Sequence, residues 1–429
     1  MSIPVEIQPK QLPQLPATTS TLSVVCPPNN GSSFTENQQI IVDLPAGRGF
    51  LNPNSLYVRY KMTCTGMAGN AGTMIGTPVY TPFLNFQMLI NNTVAENIND
   101  YNIYCEDMIN LKVNVADKAG LSQALGYGNS SLTFTMNSVN GRVLSTTPDA
   151  FTLSGPLPCI LSQCESYVPM FLFGATRIVI TLDTLANIFN TITNVPTAYS
   201  ITNFELCADY INFDPQVEAY YTSLANQAGK VVLKSSSVAV GSQPLASGAS
   251  GSYQLPYSFR LASIKSLFLH SSPATATSAT SNGKHDAIDI TTNNGSYQFD
   301  VGGGVLYPAR ALSTLQNKAG IISELCLALY GNKNIASASL GITPATWNYT
   351  SSAASTAYTA PGMFIVGINT EKCPSSSSML TGVSSLLAPV IARLEINTAT
   401  SQACQVRMLA VFDALVEVDV MSREVRILQ

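Results

Sequence analysis

The run Gln405-Val406-Arg407-Met408-Leu409-Ala410-Val411-Phe412 decides the fold. Val406, Met408, Ala410 and Phe412 fall on one side of an extended chain, and Gln405, Arg407, Leu409 and Val411 on the other. Period-two alternation of this kind marks a half-buried strand. It continues through Val416, Val418 and Val420 against Glu417 and Asp419, so the strand is long. Roughly 205 residues earlier a second long alternation sets Phe204, Leu206, Ala208 and Tyr210 against Glu205, Cys207 and Asp209, and ends at Phe213-Asp214.

Outward from these two runs the same period recurs. Leu56, Val58, Tyr60, Met62 and Cys64 share one face, with Tyr57, Arg59, Lys61 and Thr63 opposite. Leu84, Phe86, Met88 and Ile90 form another face, and Ile178, Ile180 and Leu182 a third. Turn-rich stretches separate them: Pro27-Pro28-Asn29-Asn30-Gly31, residues 137–141 and Asn293-Asn294-Gly295. Many short strands between Gly, Pro and Asn turns predict β-sandwiches.

Three segments carry helical spacing. Asp214-Pro215 offers an N-cap and a first-turn proline ahead of Val217, Tyr220, Tyr221 and Leu224, with Gly229 to close the helix. Within residues 99–114, Tyr101, Tyr104, Cys105, Met108 and Leu111 form one stripe. Residues 308–318, with Leu312 and Leu315, predict a shorter helix ending at Gly320. The stripes read as packing faces. Lys118-Ala119-Gly120 and Lys318-Ala319-Gly320 each close a helical region in this reading, which adds to the argument for an internal duplication.

The expected architecture is therefore all-β. Two tandem jelly-roll sandwiches are joined by a short helix and carry small helical insertions. The divisions fall at 1–18 for an N-terminal arm, 19–214 for the first jelly roll, 215–229 for the connecting helix and 230–429 for the second jelly roll. The Ser-, Thr-, Ala- and Gly-rich stretches 271–283, 337–360 and 374–382 are expected as loops at the ends of the sandwich.

Composition bounds the function. The chain has 429 residues, enough for two domains, and 46% of them are apolar. Only 11% are charged, against about 25% in ordinary soluble domains. Such a surface suits burial against neighbours, and equally suits a secreted β-rich protein. The net charge is −4, and the first forty residues hold a single basic residue, Lys10. Neutralising packaged nucleic acid calls for clustered Lys and Arg, so direct sequence-specific nucleic-acid binding is not expected. The Pro- and Gln-rich start lacks the apolar core of a secretion signal. The nine scattered cysteines then read as buried thiols kept reduced.

Several stretches carry a family resemblance. They are Phe50-Leu51-Asn52-Pro53-Asn54-Ser55-Leu56-Tyr57, residues 83–90, Val94-Ala95-Glu96-Asn97-Ile98-Asn99-Asp100-Tyr101-Asn102, residues 206–215, Leu306-Tyr307-Pro308-Ala309-Arg310-Ala311-Leu312 and the closing strand 407–420. As a pattern, the chain resembles the double jelly-roll major capsid proteins of tailless icosahedral viruses and their virophage- and polinton-like relatives. In this resemblance residues 206–215 lead from the first jelly roll into the connecting helix, and residues 306–312 open a helical insertion in the second. The resemblance implies trimers whose six jelly rolls make a pseudo-hexagonal capsomer, with loops outside and termini inside. It further implies a virion location after synthesis inside a host cell. The implied partners are other copies, penton and minor capsid proteins, and an internal membrane. The rival classes are a secreted two-domain adhesin or lectin-like binder, which needs a secretion signal, and a β-rich hydrolase, which needs a convergent acid-base cluster.

No catalytic, cofactor or metal site is expected. The two histidines, His270 after Leu267-Phe268-Leu269 and His285 in Lys284-His285-Asp286, read as a strand-end residue and a loop residue. No nucleophile-elbow motif is present. Glu106-Asp107, with Lys112 beyond, read as solvated helix-face charges. Asp183, Asp209 and Asp214 read as turn and cap residues. Gly66-Met67-Ala68-Gly69-Asn70-Ala71-Gly72 and Gly302-Gly303-Gly304 read as turns, not phosphate cradles. Trp347 reads as a local packing plug. The arm between Pro4 and Pro16 reads either as disordered or as a clamp beneath a neighbouring capsomer.

Overall fold

The computed structural model describes residues 19–47, 49–66, 73–129, 142–144, 149–189, 195–274, 283–291, 295–314, 318–331, 341–342, 347, 362–371, 380–420 and 424–428. Sixteen strands carry the architecture, eight in each half. In the first half they are β1 (Thr19–Cys26), β2 (Gln39–Leu44), β3 (Tyr57–Thr65), β4 (Phe83–Ile90), β5 (Thr93–Ile98), β6 (Asp149–Pro156), β7 (Thr176–Leu182) and β8 (Ala198–Phe213). In the second they are β9 (Lys230–Leu245), β10 (Gly251–Tyr257), β11 (Ile264–Pro273), β12 (Ser296–Val301), β13 (Val305–Ser313), β14 (Ile365–Asn369), β15 (Val390–Ile396) and β16 (Cys404–Asp419).

Pairing makes the duplication explicit. The first half builds one sheet in the order β1-β8-β3-β6 and a second in the order β2-β7-β4-β5. The second half builds β9-β16-β11-β14 and β10-β15-β12-β13. Adding eight to each strand number of the first half gives the second. Each half is thus a two-sheet jelly roll, all of whose ladders between these strands are antiparallel. Inside the first sandwich Tyr60 packs on Phe83 and Phe204, with ring centroids 5.5 and 6.0 Å apart. Inside the second, Phe364 packs on Tyr297 and Trp347 at 5.9 and 5.1 Å. Trp347 is buried there, which is the packing role expected of it.

Helix α1 (Tyr101–Lys112) follows β5, α2 (Pro215–Ala228) joins the halves, and α3 (Ala319–Tyr330) follows β13. The α2 caps are those the sequence indicates. The Asp214 side chain accepts from the Gln216 backbone N–H at 2.9 Å, and Gly229 closes the helix at φ 75°. Only part of the α2 apolar stripe packs. Tyr221 lies 5.3 Å from Phe50, whereas Tyr220 and Leu224 stand in solvent.

The helix expected over residues 308–318 is not formed. Val305–Ser313 is the edge strand β13, folded back on β12 through Gly302-Gly303-Gly304, all three at positive φ. This glycine turn sets a hairpin that overrides the local helical spacing, and Pro308 sits on an edge strand, where a missing N–H is tolerated. The helical stretch that does form begins after Lys318, whose own φ is 55°. Lys118-Ala119-Gly120 ends a short helix while Ala319-Gly320 begins one, so that tripeptide match is coincidental. The long strands are the true repeat.

Eight of the nine cysteines are described. All eight are buried, and no disulfide is present among the described residues. The N-terminal arm, Cys373, the glycine-rich stretch 67–72, residues 137–141 and most of the expected loops 271–283, 337–360 and 374–382 lie outside the described residues.

Candidate functional site at the seam between the halves

The sequence reading treats Glu106 and Asp107 as solvated. They are 2% and 3% exposed. The reason is the position of α1, which has no solvent face wide enough for them. One face, with Tyr101, Cys105 and Leu111, packs on the first sandwich, where Tyr101 stacks on Phe86 at 5.1 Å. The other, with Glu106, Asp107 and Asn110, is also buried, and its carboxylates meet the second half. Asp100 at the helix start makes no side-chain cap. Its carboxylate instead accepts from Arg407 Nε of β16 at 3.0 Å.

The groups that meet across this seam are paired one to one. His270 Nδ1 of β11 lies 3.0 Å from both carboxylate oxygens of Asp107, and its Nε2 lies 3.1 Å from the Lys284 carbonyl oxygen. His285 Nδ1 meets Glu106. Lys284 Nζ meets Asp183, which also accepts from Asn102 and Asn187 at 3.0 and 2.8 Å. Arg407 donates a further bond to Ser272 at 2.6 Å. At the β5 end, Glu96 accepts from Ser237 of β9 and from the Ile160 backbone N–H, while Ser235 donates to the Ile160 carbonyl at 2.5 Å. So His270 is an interior strand residue and His285 is locked in a buried turn. Asp183 is a seam residue as well as a turn residue. Asp214 keeps the capping role expected of it.

Burial sets the electrostatics. It lifts the Glu96 carboxyl to about 7, against the hydrogen bonds from Ser237 and Ile160 that favour the charged form. It raises the Asp107 carboxyl, against the pull of His270. The Asp100 carboxyl is lowered: burial pushes it up, but Arg407 and Lys284 outweigh that. Buried Lys118, whose Nζ donates to Asn110 at 2.6 Å, is pushed down to about 8 by desolvation.

This arrangement holds two bodies in register. Buried ion pairs add little net stability over apolar contacts of the same volume, but removing one partner strands the other at a cost of about 3–5 kcal/mol. Both histidines are sealed from solvent, each against its own carboxylate, so neither is presented to a substrate. Among the described residues, no three of His, Cys, Asp and Glu converge into a metal-binding group. The signal that sequence reasoning missed is the pairing of two buried acids on one helix with two histidines more than 160 positions away.

The outer face of β1-β8-β3-β6 contrasts with the seam. It is polar and open, with Arg59 on Glu205, Ser23 on Asp209, and exposed Val25 and Tyr57. An open groove of about 630 Å³ runs over it, lined in part by Pro27, Arg59, Lys61, Asn203 and Glu205.

No family model matches the sequence. No curated protein matches it either. Solved structures do match in fold, and they define this chain as a double jelly-roll protein. The Faustovirus major capsid protein superimposes with a TM-score of 0.62 at 10% identity, covering 97% of this chain and 92% of that one. The Sputnik virophage structure gives 0.58 at 12% identity, with 99% and 92% covered. The mavirus major capsid protein gives 0.52 at 10% identity, with 100% and 95% covered. The particular architecture shared with all three is the one read from the strand order, two tandem jelly rolls over nearly the full chain.

Proposed function

We propose that this chain is a structural major capsid protein, not an enzyme, and that it assembles as trimeric, pseudo-hexameric capsomers of an icosahedral virion. One observation carries the reading: an outer sheet face that is covered within the chain has an equivalent face that is open. The strand order repeats by eight, and α1 with β5 of the first half covers the outer face of β9-β16-β11-β14. The equivalent outer face of β1-β8-β3-β6 is open. Helix α3, which follows β13 as α1 follows β5, packs on β14 of its own half, where Asn369 donates to the Leu327 carbonyl at 3.2 Å, and leaves the β13 edge exposed. Seating the exposed β13 edge of one chain on the open sheet of the next would give a head-to-tail contact like the internal seam. A heterologous contact closes a ring when its rotation divides a full turn. Six jelly rolls in that ring are three chains.

In this reading residues 19–214 and 230–429 are the two domains, 215–229 links them, and 1–18 is an arm available to neighbouring capsomers. Penton and minor capsid proteins, and an internal membrane, are the other partners. Light scattering after size exclusion tests the assembly, with a mass of three chains expected. Electron microscopy of the expressed protein is expected to show pseudo-hexagonal particles. A monomer that binds sugars would replace this reading with the adhesin.

A further inference from the structure

We propose that the seam between the two jelly rolls is a proton-held latch, in which the His270–Asp107 pair and Glu96 each keep a proton that is released as the pH rises, loosening α1 and β5 from the second half. The inference concerns the single chain and stands whether or not the chain assembles.

The first proton follows from geometry. His270 Nε2 faces the Lys284 carbonyl oxygen at 3.1 Å, so that nitrogen carries a hydrogen. Nδ1 faces both oxygens of Asp107 at 3.0 Å. A bare Nδ1 lone pair against an ionised carboxylate is repulsive. One proton must therefore lie between them, as imidazolium with carboxylate or as imidazole with carboxylic acid. The charges facing the pair are Arg407 on β16, Glu106 on the same helix, and Lys284 and Asp100 at its margins. Arg407 is engaged by Asp100 and Lys284 by Asp183, so neither replaces the shared proton.

The second proton is held by isolation. Glu96 is 5% exposed and spans the seam to Ser237. The titratable groups around it are Tyr104 of α1 and Cys159 and Cys164 of the segment after β6. Burial raises all three, so each is neutral near pH 7, and among the described residues no cation offsets a charged Glu96.

Both effects have the same sign. A carboxyl raised on folding contributes stability that is complete below its ordinary value and lost as pH rises through its folded value. For Glu96 that window runs from 4.5 to about 7. Burial raises the Asp107 carboxyl in the same direction, against the pull of His270. Folding therefore takes up protons near neutrality. Each proton changes the unfolding equilibrium about tenfold per pH unit.

The test is thermal unfolding of the single chain from pH 5.5 to 8.5, beside Glu96→Gln, Asp107→Asn and the double variant. Each amide mimics the protonated acid, since Asn donates to a neutral His270 Nδ1 and Gln donates to Ser237. The wild type is expected to lose stability as the pH rises from 5.5 through about 7 and to level off above it. Each single variant is expected to flatten the slope and the double to flatten it most, while melting above the wild type at pH 8.5. Ser237→Ala removes the hydrogen bond that favours the charged form of Glu96, so it is expected to deepen the loss of stability with rising pH and carry it to higher pH than in the wild type. Hydrogen exchange, corrected for its intrinsic pH dependence, is expected to rise first in α1 and β9. Equal slopes in wild type and double variant overturn the latch, as does exchange that rises uniformly over the chain.

Discussion

Strands β8 and β16 hold the same place in their jelly rolls, yet one has an open face and the other has none. On β8, Leu206, Ala208 and Tyr210 enter the sandwich while Glu205 and Asp209 face outward and pair with Arg59 and Ser23. On β16, Met408, Ala410 and Phe412 enter the sandwich, but Arg407 and Leu409 on the other side are buried too. The fold is the same, so the difference is one of neighbours. α1 and β5 have covered β16, and among the described residues nothing equivalent covers β8. The comparison teaches that an outer sheet face is a socket, filled once internally and left open once.

The largest effect that sharpens this contrast is expected at Arg407. Replacing it with Ala leaves Asp100 without its partner at the seam and frees Ser272, so unfolding by denaturant should show a loss of about 3–5 kcal/mol. Leu409→Ala comes next. Leu409 is fully buried on the face that a single isolated sandwich would expose, and a cavity there should cost about 2–5 kcal/mol. A cost near zero at Leu409 would mean the two halves do not stay docked in solution. The acid limb of the stability curve separates the same contacts. Arg407 and Lys284 hold Asp100 below the usual carboxylate range, so its contribution is present above the ordinary value near 3.9 and lost as the pH falls below it. Arg407→Ala should therefore blunt acid unfolding, measured as the unfolding midpoint on titration from pH 5 to 2.

How much of this was legible depends on the distance over which each residue finds its partner. Alternation is local, so the long strands and the linking helix with its Asp214 cap and Gly229 stop were visible in the sequence. Leu409, Val411 and Leu415 on the supposedly solvent side of β16 already hinted at a second cover, because β8 places Glu205, Cys207 and Asp209 there. At β13 the helical spacing of Leu312 and Leu315 misleads, because the turn at Gly302-Gly303-Gly304 dictates a hairpin. The seam was hidden for a different reason. Glu106 and Asp107 are unremarkable on an isolated helix and become buried only when β11 and the turn at His285 arrive from the other half. Such a site has no local signature.

The smallest expected effect on the fold is the one that most directly tests the open socket. Arg59 and Glu205 pair at 2.5 Å on the outer face of β3 and β8, with side chains 49% and 31% exposed. Exposed pairs of this kind contribute little to a single chain, because water and salt screen them and ordering two long side chains opposes the gain. Arg59→Glu sets a second carboxylate opposite Glu205 on an exposed face and should lower the melting temperature of the single chain only slightly, far less than Arg407→Ala. If the open face is where the next copy docks, the same substitution puts two carboxylates side by side in a contact that must lose its water. The trimer fraction measured by light scattering should then fall sharply while the chain stays folded. A melting temperature that drops as far as it does for Arg407→Ala would show that this face is already covered within the chain, and the contrast between the two sheets would be lost. A slightly lowered melting temperature with an unchanged trimer would keep the contrast but move the contact between copies elsewhere.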